Sequence, residues 1–152
     1  MKRVTPEELK TIQLDLLQKT ADFCEQNGLR YFLCGGTLIG AVRHKGYIPW
    51  DDDIDIAMPR PDYDRFVRTF NKQGNYYQVV SRETNHAYAY AFAKVYDNRT
   101  LLQELHYKGC SFGVYIDILP ADGVKDASQI RKIMWLHKIL TPRKQIIIKG
   151  HC

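Results

Sequence analysis

The strongest constraint on the fold is the segment of residues 50–58, in which acidic and aliphatic side chains alternate. The two alternating sets are Asp53, Asp55 and Ala57, and Ile54, Ile56 and Met58. A period of two is typical of a half-buried strand, on which Asp53 and Asp55 project from the same face. Neighbouring carboxylates repel, and removing them from water costs free energy. The pattern therefore predicts a bound cation, and oxygen ligands favour Mg²⁺ or Mn²⁺.

This acidic run has two other interpretations. A solvated acidic turn explains Asp51 and Asp52, which follow Pro49, but it does not require hydrophobic alternation. A calcium-binding EF-hand loop requires glycine at its sixth position and glutamate at its twelfth. Ile56 and Asp62 stand at those positions. The metal-binding strand is therefore favoured over both.

Length and charge define the class of protein. The 152 residues, 45% hydrophobic and 26% charged, predict one soluble domain over residues 1–152. A net charge of +5 favours acidic partners such as nucleotides, phosphorylated glycans or an anionic membrane surface contacted peripherally. No arginine-rich block is present, so a nucleic-acid partner is not expected. With no signal peptide or membrane span in the sequence, we expect a cytoplasmic location, compatible with the inner face of the membrane.

The remaining patterns predict a mixture of helices and strands, and therefore an α+β fold. A capping box at Thr5–Glu8 predicts a helix that ends at Gly28. Further helices are predicted over residues 37–44, from Pro61 to about Gly74, and after Asp126. Strands are predicted over residues 29–34, from Asp53, and over residues 76–80, 88–95 and 114–119.

A glycine pair and a third aspartate extend the metal hypothesis. Gly35 and Gly36 lie between a strand and a helix start, where glycine lets a phosphate approach free helical N–H groups. A simple tight turn explains the pair equally well. Asp117 lies between two isoleucines of another strand, so it points away from them, as Asp53 and Asp55 do. Carboxylates from two strands can hold two divalent ions for an in-line phosphoryl displacement.

Several cationic and aromatic residues are candidates for binding a phosphorylated donor. Arg43 and Lys45 follow the short helix and could reach its phosphates, although a basic helix C-terminus is also favoured by the helix dipole. Lys94 lies among aromatic residues; if buried it needs an anion, and a phosphate would serve. Trp50 could stack on a base or a choline group, or could simply pack.

These motifs resemble those of the LicD family of the nucleotidyltransferase superfamily, which includes bacterial phosphorylcholine transferases. Residues 35–56 are similar to its core signature, residues 113–123 to a second block, and residues 92–97 to a segment between them. The resemblance implies a nucleotidyltransferase-like mixed sheet flanked by helices. It also implies that Asp53, Asp55 and Asp117 are metal ligands and catalytic residues, with Asp117 as proton acceptor.

The resemblance further implies a reaction. A hydroxyl of a glycan or polyol-phosphate acceptor would attack a CDP-linked donor such as CDP-choline and release CMP. The acceptor would be a cell-surface precursor, as in lipopolysaccharide or teichoic acid biosynthesis. The donor phosphates would meet Gly35, Gly36, Arg43, Lys45 and Lys94.

Two function classes remain as alternatives, and one observation concerns the extent of the chain. The domain could transfer a nucleotidyl group to a small molecule or RNA, or could be a silent nucleotide-binding module of the same fold. Family members usually continue well beyond this length, and the apolar run at residues 146–148 has no evident pairing element. We therefore expect a truncated C-terminus.

Overall fold

A computed structural model describes residues 4–102 and 112–140, with the backbone alone from residue 136. The chain divides into two compact units, Met1–Asp122 and Gly123–Cys152. The single domain predicted over residues 1–152 stays a prediction, and the apolar run at residues 146–148 lies outside the described residues. In those residues no helix is long and apolar enough to cross a membrane.

The helices of the first unit begin and end where local sequence signals require. Helix α1, Pro6–Gln26, has the predicted capping box: the Thr5 hydroxyl accepts from the backbone N–H of Glu8, whose carboxylate accepts from that of Thr5. Helix α2, Gly35–Arg43, begins two residues earlier than predicted. Helix α3, Arg60–Thr69, continues as a 3-10 helix, Phe70–Gln73, and ends at left-handed Gly74.

Five strands form one mixed sheet in the order β1-β2-β5-β4-β3. The central pair, β2 and β5, is parallel, and every other pair is antiparallel. The strands are β1 Phe32–Leu33, β2 Asp55–Pro59, β3 Tyr77–Val80, β4 Ala93–Asp97 and β5 Tyr115–Ala121. Helices and a mixed sheet confirm the predicted α+β fold.

Three predicted strands have different bounds. The strand predicted over residues 29–34 shrinks to β1, and the strand predicted from Asp53 begins at Asp55. Residues 88–92 lie in no strand, and β4 starts only at Ala93. The aromatic rings of this segment instead pack against one another in tilted and edge-on contacts. The Tyr88 ring lies 5.7 Å from that of Phe112 and 5.4 Å from that of Tyr90.

The two faces of the sheet have different roles. Helices α1 and α3 cover one face and form the main core with the strands; its largest fully buried members include Leu16, Ile56, Tyr63, Phe66, Phe70 and Ile116. Residues of opposite parity on the strands point to the other face. A smaller cluster of Val80, Tyr88 and Phe112 covers part of that face. The polar strand residues described below share this second face.

The second unit contains helix α4, Ala127–Leu140. Its start is capped as predicted, because the Asp126 carboxylate accepts hydrogen bonds from the backbone N–H groups of Ser128 and Gln129. Trp135 and Met134 are both more than half exposed.

Candidate active site

The centre of the site is a row of three charged side chains on adjacent strands. Asp55 of β2 is the register partner of Asp117 of β5, which is in turn the register partner of Lys94 of β4. Register partners share a sheet face, so the three side chains lie side by side. The Nζ of Lys94 lies 2.8 Å from Oδ1 of Asp117. We call Lys94, Asp117 and Asp55 the charged row.

Lys94 lies in surroundings that favour a cation. The residue is only 2% exposed. Its Nζ lies 3.3 Å from the centroid of the Tyr115 ring, 4.9 Å from that of Tyr90 and 5.5 Å from that of Phe92. Aromatic faces attract ammonium groups electrostatically. The sequence predicted that a buried Lys94 needs an anion, and the structure supplies Asp117; binding of donor phosphate by Lys94 stays a prediction.

Asp53 lies before β2, in an acidic loop of residues 51–54. The carboxylates of Asp51, Asp52 and Asp53 lie within 4.8 Å of one another. Among the described residues, the predicted trio of Asp53, Asp55 and Asp117 does not reach that mutual distance. Asp55 connects the two groups electrostatically, because it interacts with Asp53 on one side and Asp117 on the other.

Crowding of carboxylates raises two pKa values. Burial, followed by the charges of Asp55 and Asp51, raises the pKa of Asp53. Burial, followed by the charges of Asp117 and Asp51, raises the pKa of Asp55, while Lys94 partly opposes the rise. Both shifts mean that the ionised site is electrostatically strained. A bound cation would relieve that strain.

Gly35 and Gly36 make room for these carboxylates. A Cβ at Gly35 would lie 3.1 Å from Oδ2 of Asp55, and Gly35 also has a left-handed φ of +54°. A Cβ at Gly36 would clash with Oδ2 of Asp51. From the sequence, the glycine pair has two interpretations: it lets a phosphate approach the helix, or it forms a tight turn. The structure adds another reason for it, because each glycine lies against an aspartate.

Two hydrogen bonds of the Asp55 backbone fix the start of β2 against α2. The Asp55 N–H donates to Oγ1 of Thr37 at 2.8 Å, and the Asp55 carbonyl accepts from the N–H of Cys34 at 3.2 Å. Cys34 caps α2 without a side-chain hydrogen bond. The first N–H groups of α2 therefore lie next to the acidic residues, with no capping side chain from Cys34.

Gln13 is a positioning residue that sequence reasoning missed. It is buried on α1, and its Nε2 donates to the carbonyls of Asp52 at 2.9 Å and Tyr115 at 3.3 Å. Its Oε1 accepts from the Tyr47 hydroxyl at 3.0 Å. Thr37 and Tyr47 were also missed. The only signal in the sequence was a glutamine within the apolar stripe of α1.

A cavity of about 420 Å³ opens beside the acidic loop. Its lining is mostly aliphatic, and Gly36, Lys45, Asp51 and Asp53 contribute its polar side; the aliphatic residues are Leu14, Leu17, Leu33, Ala41, Ile48 and Ile54. Lys45, predicted to bind donor phosphate, therefore lies near the acidic loop. Arg43 does not line the cavity and is exposed.

Trp50 directly precedes the acidic loop in the chain. It is 83% exposed, and its ring makes an edge contact with His44 at 6.4 Å. Simple packing, the alternative interpretation of Trp50, does not describe so exposed a ring. Stacking on a ligand stays a prediction.

The side chains present fit a hard divalent ion. Every candidate ligand is a carboxylate, and such oxygens suit Mg²⁺ or Mn²⁺ rather than a soft metal. Two of them, Asp53 and Asp55, have pKa values raised by burial and by neighbouring negative charge. The donor set therefore fits a divalent ion, and the predicted Mg²⁺ or Mn²⁺ stays a prediction.

The first unit combines helices with a mixed sheet whose two central strands each carry an aspartate of the site. The family described as "LicD/FKTN/FKRP, nucleotidyltransferase domain" matches residues 28–147, well over half of the chain. The chain therefore belongs to the LicD family, as its motifs predicted.

Two curated relatives show what such domains are part of. "Lipopolysaccharide cholinephosphotransferase LicD" of Haemophilus influenzae is 40% identical over 132 residues, which are 86% of this chain and 49% of that protein. "Ribitol 5-phosphate transferase FKRP" of Homo sapiens is 32% identical over an alignment of 94 positions, and the match covers 48% of this chain and 19% of that protein. The chain thus spans about half or less of the length of these relatives.

Proposed function

We propose that this domain is the catalytic part of a metal-dependent phosphotransferase. It would move phosphorylcholine or a similar group from a CDP-linked donor to a hydroxyl of a cell-surface glycan precursor. The observation that carries the proposal is the placement of the charged row and the acidic loop against the glycine start of α2. Both relatives are named as transferases of phosphorus-containing groups, which supports the reaction class.

On this proposal the carboxylates bind the metal ion, and one of them accepts the proton of the acceptor hydroxyl. Asp53 and Asp55 would be the metal ligands, joined by Asp117. When bound, Mg²⁺ would supply charge neutralisation for the phosphates and acidify the acceptor hydroxyl. Asp117 would accept the hydroxyl proton as that oxygen attacks phosphorus, and Lys94 holds its carboxylate in place at 2.8 Å.

The start of α2 and Lys45 would bind the donor. Helical N–H groups at Gly35 and Gly36 attract phosphate oxygens, and the positive end of the helix dipole adds to this. Lys45 lines the same cavity as Gly36, so we assign it the larger share of phosphate binding. Arg43 and Lys45 are both exposed, but Arg43 lies outside the cavity lining, so replacing Arg43 should weaken donor binding much less.

The test is release of CMP from CDP-choline, with CDP-ribitol as a second donor, in Mg²⁺ and with a glycan or polyol-phosphate acceptor. Asp53→Asn and Asp55→Asn should abolish release. Asp22→Asn is the matched control, since it removes the same charge from the surface of α1, where Asp22 accepts from Gln18. The control should keep wild-type activity.

Two results would contradict the proposal. CMP release that persists in both site variants would place catalysis elsewhere. Pyrophosphate release from nucleoside triphosphates, without CMP release from either donor, would instead support transfer of a nucleotidyl group.

A further inference from the structure

The charged row contains a cation of the protein itself. Three register partners run across β4, β5 and β2 in the order Lys94, Asp117, Asp55. The row therefore has one ammonium at its end and two carboxylates beside it. The 2.8 Å separation of Nζ and Oδ1 shows that Asp117 already has a cation in direct contact.

The surroundings of Lys94 hold this cation firmly. The side chain of Lys94 is 3% exposed, against 18% for Asp117. Three aromatic rings approach the ammonium, the nearest at 3.3 Å. Backbone pairing on both edges of β4 fixes the strand that carries it. Moving the ammonium away would break the ion pair and the ring contacts together.

A second metal ion bound to the same oxygen of Asp117 would lie close to the Lys94 ammonium. In two-metal sites the ions lie about 3.5–4 Å apart and share carboxylates. A Mg²⁺ ion binds carboxylate oxygen at about 2.1 Å. An ion on the Asp117 oxygen that Lys94 contacts would thus stand at most about 5 Å from Nζ. Two like charges would compete there for one carboxylate.

We propose that the Lys94 ammonium is the second cation of this site, so that the domain binds one divalent ion per chain instead of two. The inference rests on the metal requirement of the proposed function. It specifies the number of bound metal ions, which the sequence did not determine. The single ion would be held by Asp53, Asp55 and Asp117, the ligands of the proposed function. Lys94 acts as a positioning residue, which neutralises Asp117 and fixes its carboxylate.

The experiment counts Mn²⁺ ions bound to the whole chain. Equilibrium dialysis and calorimetry give the stoichiometry, and electron paramagnetic resonance distinguishes isolated Mn²⁺ from spin-coupled pairs. We expect one uncoupled ion in the wild type. Lys94→Met keeps an unbranched side chain among the rings but removes the charge, and we expect two coupled ions in this variant.

Two variants serve as controls. Lys94→Arg keeps the positive charge and should bind one Mn²⁺ ion per chain, as the wild type does. Lys19→Met removes a lysine from the exposed surface of α1 and should leave the count at one. Far-ultraviolet circular dichroism checks that each variant is folded. If Lys94→Met does not fold, the number of Mn²⁺ ions bound to the wild type and their resonance spectrum remain the test. Two coupled ions there would overturn the inference, and one uncoupled ion would support it.

The outcomes separate this inference from the proposed function. Two ions in the wild type, or one ion with unchanged affinity in a folded Lys94→Met variant, would overturn the role of Lys94 and leave the transferase proposal intact. No Mn²⁺ binding to the wild type would overturn both. One ion in the wild type and two in Lys94→Met supports both.

Discussion

The contact between Gly35 and Asp55 leads to a prediction that separates backbone strain from metal binding. Gly35 and Gly28 have nearly the same left-handed φ, +54° and +61°. Alanine in this region costs about 1–2 kcal/mol. For a chain of this size each kcal/mol lowers the melting temperature by roughly 2–4 °C. We therefore expect Gly35→Ala and Gly28→Ala to lose similar stability in the absence of metal.

The two variants should differ in their response to Mg²⁺. A Cβ at Gly28 meets nothing within 4 Å, whereas a Cβ at Gly35 lies 3.1 Å from Oδ2 of Asp55. The carboxylate must then shift by a few tenths of an ångström, which should weaken metal binding. Mg²⁺ at about 100 times its dissociation constant stabilises a protein by about 2.7 kcal/mol, and a tenfold loss of affinity removes about half of that.

The assay is thermal unfolding of chelator-treated protein over a series of Mg²⁺ concentrations. Wild type and Gly28→Ala should show the same rise in melting temperature, while Gly35→Ala should show a smaller one. Equal rises in both variants would refute the link between Gly35 and the metal site. The absence of any rise in the wild type would refute the metal itself.

Three further predictions concern pH and fluorescence. Burial and neighbouring carboxylates raise the pKa of Asp55, so ionised Asp55 destabilises the fold above that pKa. In chelator, Asp55→Asn should therefore be the more stable protein at pH 7, and urea unfolding should show this advantage vanishing as the pH falls below about 4. Burial alone would raise the pKa of Asp97, but hydrogen bonds from Arg99 outweigh it and lower the pKa. This pair contributes stability above about pH 4, which is lost as the pH falls through the lowered pKa of Asp97. Arg99→Gln should therefore be less stable than wild type at pH 7, and the difference should shrink towards pH 3. A constant difference in the free energy of unfolding would contradict the pairing. Trp135→Phe leaves Trp50 as the only tryptophan of the chain, and CDP-choline with Mg²⁺ should change its fluorescence; an unchanged spectrum would place the donor away from Trp50.

Hydrophobic alternation was enough to predict the face on which the central carboxylates lie. Isoleucines on both sides of Asp55 and Asp117 are buried, so the aspartates face away from the main core. This follows from the period of a strand and needs no knowledge of its partners. The same reasoning extended the strand to Asp53, where it was wrong, because pairing with β5 starts only at Asp55.

Contacts between residues distant in sequence could not be predicted in this way. Lys94 was expected to need an anion, but its pairing with Asp117 depends on the register of β4 against β5. The role of Gln13 depends on a hydrogen bond to a loop 39 residues further along the chain. The aromatic residues before β4 alternate like a strand, yet their rings pack on one another. In each case tertiary packing, not local propensity, decides the structure.

The charge of the site therefore depends on strand register as much as on residue type. The register places Lys94 opposite Asp117, and Ala93 and Val95 opposite Ile118 and Ile116. A slip of β4 by one residue would turn its side chains to the other sheet face. The ammonium would then enter the apolar core, and an alanine or valine would stand beside Asp117. Burying an unpaired charge costs far more than a register slip gains, so Lys94 itself helps to select the pairing that builds the site.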